Sequence, residues 1–259
     1  MKAKKSLGQN FLHYPKAMSR IAEIVREQKI PTIIEIGPGK GSLTQVILEK
    51  TTAIIYAVEL DPRMYDLLKE KFAHDIASKR LILVHQDILE IELRELVGKD
   101  RYGIVGNIPF YITGAIIKKF LTEKHQPSYM TLITQKEVSD RIVRRDGKES
   151  ILSLSVEVFG KPRYEMKIPK KYFSPSPNVD AALFSILDIQ KDHFKTLPEE
   201  RFFTIVKQGF AHKRKKLASN IKTCFKTPVD EIFNAHNIDS NARAEEIPLE
   251  KWLGLARHT

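Results

Sequence analysis

The chain has 259 residues, 42% of them hydrophobic, enough to bury a full core as one large domain or two smaller ones. A single cysteine, Cys224, excludes an internal disulfide and a cysteine-rich zinc site and fits a reducing, cytoplasmic setting; the eight histidines lack H-E-x-x-H spacing, so no metal is expected. A net charge of +11 points to a polyanionic partner, no apolar run approaches the ~18 residues of a membrane span, and the basic start (Lys2, Lys4, Lys5) is not followed by a signal-peptide core.

In chain order, an amphipathic helix is predicted from about Pro15 to Gln28. It leads into the apolar run Thr32-Ile33-Ile34, read as a buried strand, and then directly into Glu35-Ile36-Gly37-Pro38-Gly39-Lys40-Gly41. Glycines in such a loop let the backbone turn tightly and approach a ligand. Leu43, Val46, Ile47 and Leu48 follow at helical spacing. A strand over Ala53 to Val58 ends at Glu59, about 20 residues beyond the loop, where a carboxylate can accept both hydroxyls of a ribose. The same pattern would serve a dinucleotide. The loop is not a clean G-x-G-x-x-G, however, and Gly-Pro-Gly suits an amino-acid-bearing nucleoside with no phosphate to cradle. That puts S-adenosylmethionine ahead of a nicotinamide cofactor. A third strand, Leu81 to Val84, ends in His85-Gln86-Asp87, whose carboxylate can accept from an adenine amino group or simply cap the next segment.

The apolar run Tyr102 to Gly106 reads as another buried strand and delivers Asn107-Ile108-Pro109-Phe110 to its carboxyl end, where ligands bind in an open α/β sheet. An amide oxygen there, with a nearby backbone carbonyl, can accept both N–H bonds of an exocyclic amine. Pro109 stiffens the turn, and Phe110 offers a plane for an extruded base. Apolar runs continue at Ser128 to Thr134, Tyr164 to Ile168 and Ala181 to Ile189, the last two joined by a loop in which Pro169, Pro175 and Pro177 carry Phe173. Strands alternating with helical segments predict a parallel α/β sheet, with an antiparallel hairpin at one edge. From about Asp192 only helical periodicity remains, with Trp252 assigned to a helical core. The expected division is therefore a catalytic domain over 1–190 and a small all-helical domain over 191–259. Between Lys195 and Asp230 nine Lys or Arg face three acids. Within that stretch, Lys213-Arg214-Lys215-Lys216 reads as the start of a basic helix that contacts phosphate; the alternative is a solvated helix face.

Taken together these segments resemble the small-subunit ribosomal RNA adenine dimethyltransferases (the KsgA family), with the Erm methyltransferases of large-subunit rRNA as relatives. The similarity spans nearly the whole chain. It rests on Ser6-Leu7-Gly8-Gln9-Asn10-Phe11-Leu12, the Glu35 to Gly41 loop, Val58-Glu59-Leu60-Asp61, Gln86-Asp87 and Gly106 to Phe110. It continues through Gln135-Lys136-Glu137-Val138, Phe173-Ser174-Pro175-Ser176-Pro177-Asn178-Val179-Asp180 and Arg243-Ala244-Glu245-Glu246. The resemblance implies a Rossmann-like S-adenosylmethionine-dependent methyltransferase sheet with a helical RNA-binding tail. Cofactor contacts would fall on Asn10, Leu12, Gly37, Glu59, Asp87 and Asn107, and the target adenine between Phe110 and Phe173. Two positions depart from the family pattern: Phe110 stands where Tyr is common, and Tyr111 where Asn is usual.

By that resemblance the substrate is a pair of adjacent adenosines in the 3′-terminal hairpin of small-subunit rRNA, in an assembly intermediate, and the enzyme is a cytoplasmic monomer. Gly8 before Gln9-Asn10, the Gly37-Pro38-Gly39 loop and Arg243-Ala244-Glu245 favour this over the Erm reading. Two other classes remain open: a non-catalytic RNA-binding assembly factor, against which the intact Asn107 to Phe110 motif argues, and a DNA adenine methylase, which should carry a separate target-recognition region.

Overall fold

The computed structural model describes Lys4 and residues 7–258. Lys2, Lys5 and Ser6, which belong to the basic start and the first motif, lie outside the described residues. The described chain forms the strands β1 (Phe11–Leu12), β2 (Thr32–Ile36), β3 (Ile54–Glu59), β4 (Leu81–His85), β5 (Tyr102–Asn107), β6 (Tyr129–Gln135), β7 (Lys161–Ile168), β8 (Phe173–Ser174) and β9 (Ala181–Leu187). Seven of them make one sheet in the order β4-β3-β2-β5-β6-β9-β7. The pairs β2–β3, β2–β5, β3–β4 and β5–β6 are parallel, and β6–β9 is antiparallel. The expected α/β sheet is present, with β9 and β7 together at the predicted edge.

Why the central strands form follows from their composition. All five residues of β2 are buried, as are the first five of β5 and the first six of β6. Continuous apolar runs of this kind survive only where helices cover both faces of a sheet. Helices Ser42–Lys50, Pro62–Lys71 and Thr113–Thr122 provide crossovers between the parallel strands. The first helix, Pro15–Gln28, starts with proline at its first turn, a position whose N–H has no helical partner, and stops at Lys29 in the left-handed conformation. Ala17, Ile21, Ile24 and Val25 form its buried stripe. Outer strands β4 and β7 are only partly buried.

The chain divides into two compact units. One comprises the described residues up to Ser139 together with Pro162–Ile189; the other comprises Asp140–Lys161 and the described residues from Gln190 onward. The division thus differs from a cut at 190, because Asp140–Lys161 joins the helical unit. Contacts within that unit explain why. Glu149 N donates to Glu245 O at 2.8 Å, and Lys148 Nζ meets Glu245 Oε1 at 2.7 Å. Buried Glu149 also pairs with Arg144 and accepts from Ser153 Oγ at 2.7 Å, at the start of helix Ile151–Glu157.

The same unit holds helices Glu199–Gly209, Leu217–Ile221, Val229–Ala235 and Leu249–Arg257. Trp252 is fully buried, stacks on Phe210 and donates Nε1–H to Ile247 O at 2.9 Å, which satisfies its one polar atom. Lys213 to Lys216 do not begin a helix. They form an exposed turn, with Lys215 N donating to His212 O, and helix Leu217–Ile221 begins only after it. The reason is local: Asn220 is buried and donates Nδ2–H to Gly209 O at 2.6 Å and His212 O at 3.2 Å, folding the chain back before the basic run.

Candidate active site

Sheet register brings the motif residues together. Ile36 pairs with Val58 on one side and Gly106 on the other, and Val58 pairs with Val84. The strands therefore end level with one another: Glu59, His85 and Asn107 are the last residues of β3, β4 and β5, and Gly37 is the first residue beyond β2. Strand order reverses at β2, whose neighbours are β3 and β5, and such a reversal opens a crevice at the carboxyl ends of the strands.

A cleft of about 1100 Å³, counted to its open mouth, lies there. Asn10, Leu12, Gly37, Glu59, Asp87 and Asn107 all line it, as do Pro109 and Phe110. Phe173 does not line it. Its ring is 3% exposed within the apolar core, and its backbone forms β8, antiparallel to β1, with Leu12 opposite Phe173 and Phe11 opposite Ser174. The structure thus places Phe173 behind the cleft wall, anchoring the segment that carries Asn10 and Leu12.

That segment is tied to three strand ends. Gln9 Nε2 donates to Asp61 Oδ2 at 2.9 Å, beyond β3. A Cβ on Gly39, beyond β2, would lie 3.0 Å from Phe11 Cε1, and Lys40 Nζ sits 4.8 Å from the Phe11 ring centre. Asn107 Nδ2, at the end of β5, donates to Asn10 O at 2.8 Å. A carbonyl only accepts, so this bond commits the Asn107 nitrogen and leaves Oδ1 as the acceptor on the other side of the amide.

Carboxylates dominate the charged lining, with Glu35, Glu59 and Asp87 against Lys40 among the described residues. Glu59 is buried and receives Gly39 N–H on Oε2 and Asp61 N–H on Oε1, each at 2.9 Å; burial still pushes its carboxyl above the usual range. Asp61, which does not line the cleft but holds Gln9, is kept down to about 2, chiefly by its hydrogen bond to Arg63, against the opposing effect of burial. Asp87 Oδ1 accepts Leu89 N–H at 2.8 Å, the local turn expected of it, while remaining on the cleft.

Glu35, quoted above only as part of the loop, is fully buried on the cleft lining, and its Oε2 has no hydrogen-bond partner. Burial raises its carboxyl to about 7, with repulsion from Glu59 adding; the nearby Thr44 opposes the rise. No spacing rule marks Glu35 in the sequence, since the preceding apolar run disguises it. Lys213, Arg214, Lys215 and Lys216 are exposed in the helical unit, and Lys216 Nζ reaches Asn241 Oδ1 at 2.6 Å. Among the described residues no group of three or more His, Cys, Asp or Glu could hold a metal, and no helix is long and apolar enough to cross a membrane.

Residues 1–258 match the family model described as ribosomal RNA adenine dimethylase. A protein of Fusobacterium nucleatum named ribosomal RNA small subunit methyltransferase A is 37% identical over 99% of this chain and 97% of its own length. One of the same name from Dehalococcoides mccartyi is 35% identical over 98% of this chain and 88% of its own. Among solved structures, a dimethyladenosine transferase from Plasmodium falciparum aligns with TM-score 0.77 at 20% identity, covering 95% of each chain. The 23S rRNA methyltransferase ErmE aligns with TM-score 0.76 at 24% identity, covering 95% of this chain and 98% of that one.

Proposed function

Because the chain belongs to the ribosomal RNA adenine dimethylase family, we propose that it transfers methyl groups from S-adenosylmethionine to N6 of two adjacent adenosines in the 3′-terminal hairpin of small-subunit rRNA. The observation that carries this reading is the shared register of β2, β3 and β5, which sets Gly37, Glu59 and Asn107 around one cleft. The lining fits the cofactor. Glu35, Glu59 and Asp87 are acidic and Lys40 is the one cation among the described lining residues, a balance that favours a cation and disfavours a pyrophosphate. Glu59, an acceptor-only group, suits ribose hydroxyls, and Asp87 suits the cofactor's adenine amino group. Gly37 has φ +63° and open space where a side chain would project, so the backbone itself forms the wall there.

When bound, the cofactor supplies a methyl group on a sulfonium, an electrophile that needs no metal or acid to activate it. What the chain contributes is orientation. Asn107 Oδ1 and the backbone carbonyl near Ile108 accept the two N–H bonds of the target amine. They fit a tetrahedral nitrogen better than a planar one, which lowers the barrier selectively. Pro109 holds the turn and Phe110 stacks on the base. Phe173 acts indirectly by seating Leu12 and Asn10. Lys213, Arg214, Lys215 and Lys216 contact RNA phosphates from the helical unit, and the protein works as a cytoplasmic monomer on assembling small subunits.

The test is tritium transfer from labelled S-adenosylmethionine to purified small and large ribosomal subunits that lack their native adenine methylation. Label is expected in the small subunit. Label confined to the large subunit would overturn the substrate assignment, and label in neither would support an assembly factor without turnover.

A further inference from the structure

Tyr111 is 66% exposed, more than any other large apolar or aromatic side chain described as exposed, yet it lines the same cleft as Asn107. It follows Phe110 in the three-residue 3-10 turn Phe110–Ile112. Consecutive side chains of such a turn diverge by about 120°, so Phe110, half-buried, and Tyr111, exposed, present rings in different directions from one short element. The Tyr111 ring is not loose. A Cβ on Gly8 would lie 2.9 Å from its Cε1, 3.2 Å from its Cδ1 and 3.4 Å from Pro109 Cβ. Gly8 itself has φ +61°, a conformation that leaves room for the ring edge and disfavours any side chain. One edge of the tyrosine is therefore seated while most of the ring stays open to solvent at the cleft mouth. A large, rigid aromatic surface with few torsions to freeze makes a low-cost binding platform.

Resting on the function proposed above, we propose that Tyr111 is the stacking platform for the base next to the adenosine under methylation. Extruding one base deprives its neighbour of a stacking partner, and an aromatic ring beside the extrusion site takes that partner's place. Where two adjacent adenosines are both substrates, the base on Tyr111 is the other target. The Phe110–Tyr111 pair then holds both nucleotides, one at Asn107 and one waiting at the mouth.

The experiment compares wild type, Tyr111→Ala and Tyr111→Phe on small subunits reconstituted with rRNA carrying native bases. It repeats the comparison with an abasic nucleotide on either side of one target adenosine. Tyr111→Ala is expected to raise KM for the native subunit roughly 5- to 100-fold, the effect typical of one stacked base. Its kcat should stay within a few-fold, cofactor affinity by calorimetry should be unchanged, and Tyr111→Phe should behave as wild type. With the abasic nucleotide at the stacking position, Tyr111→Ala should have no further effect, so the two changes are not additive. An equal KM effect on native and both abasic substrates, or no KM effect at all, overturns the proposal. So does weakened cofactor binding with KM for the subunit unchanged, which would make Tyr111 only a clamp on Gly8. If wild type fails to label the native small subunit, the failure lies with the proposed function and not with Tyr111.

Discussion

Glu35 and Asn107 show how much single side chains can be asked to do at this cleft. Glu35 ionises near 4.5 in an unfolded chain and near 7 in the folded one, because burial disfavours its charge. Between those values the folded state holds a proton that the unfolded state has released, so this group's contribution to stability falls as pH rises from about 4.5 to 7. The fall is on the order of 3 kcal/mol. Glu59, also raised, acts in the same sense. Glu35→Gln should therefore reduce the drop in melting temperature between pH 5 and pH 8, measured without cofactor; an undiminished drop would refute the assignment. For Asn107 the geometry distinguishes two substitutions. Asn107→Ala removes the acceptor and should lower turnover at least ~100-fold. Asn107→Asp keeps acceptors but cannot donate to Asn10 O, and sets a carboxylate against that carbonyl. It should lose turnover as well, and single-turnover rates at saturating cofactor will show whether the donor matters.

At the scale of elements, the smallest sheet has the largest influence on the site. Two residues of β1 and two of β8 hold the segment that bears Asn10 and Leu12. Phe173→Ala should cost about 3–5 kcal/mol, as for a buried aromatic, and weaken cofactor binding with it. If instead the melting temperature is unchanged and only KM for RNA rises, Phe173 stacks on the substrate after all. The family resemblance names Asn10 and Leu12, but the β1–β8 pairing was not legible in the sequence, because a two-residue strand has no periodicity to read. The long elements were legible for the opposite reason. Thr32-Ile33-Ile34 and Tyr102 to Gly106 are apolar without interruption, and Pro15 to Gln28 carries its stripe at helical spacing. The basic run misled because Leu217 and Ile221 continue it at helical spacing, whereas the turn before them is imposed by the buried amide of Asn220. The alliance of Asp140–Lys161 with the helical unit rests on Glu149 and Glu245, nearly a hundred residues apart, and local pattern carries no trace of it.

For the molecule as a whole, charge is the property that reaches furthest. A net +11 with four exposed basic residues in a single turn predicts binding that weakens steeply with salt. Replacing Lys213, Arg214, Lys215 and Lys216 with Gln should flatten the dependence of RNA affinity on salt by roughly 0.7 slope units for each phosphate left without its cation. Lys216 is engaged with Asn241, so the change should correspond more nearly to three phosphates than to four. Cofactor affinity should not move, because the cleft lies wholly within the other compact unit. An unaltered slope would return this turn to the role of solvated surface.

The pairing of Phe11–Leu12 with Phe173–Ser174 also has a consequence in time. The segment is synthesised well before its partner strand, which follows about 160 residues later. At ~5–20 residues per second, that is a wait of roughly 8–30 s, during which Phe11 and Leu12 have no strand to join. A nascent chain can therefore complete β2, β3 and β5 long before the wall that carries Asn10 is in place. Ribosome-stalled chains ending before Phe173 should form a protected sheet yet fail to retain S-adenosylmethionine, and retention should begin only once Ser174 has cleared the exit tunnel.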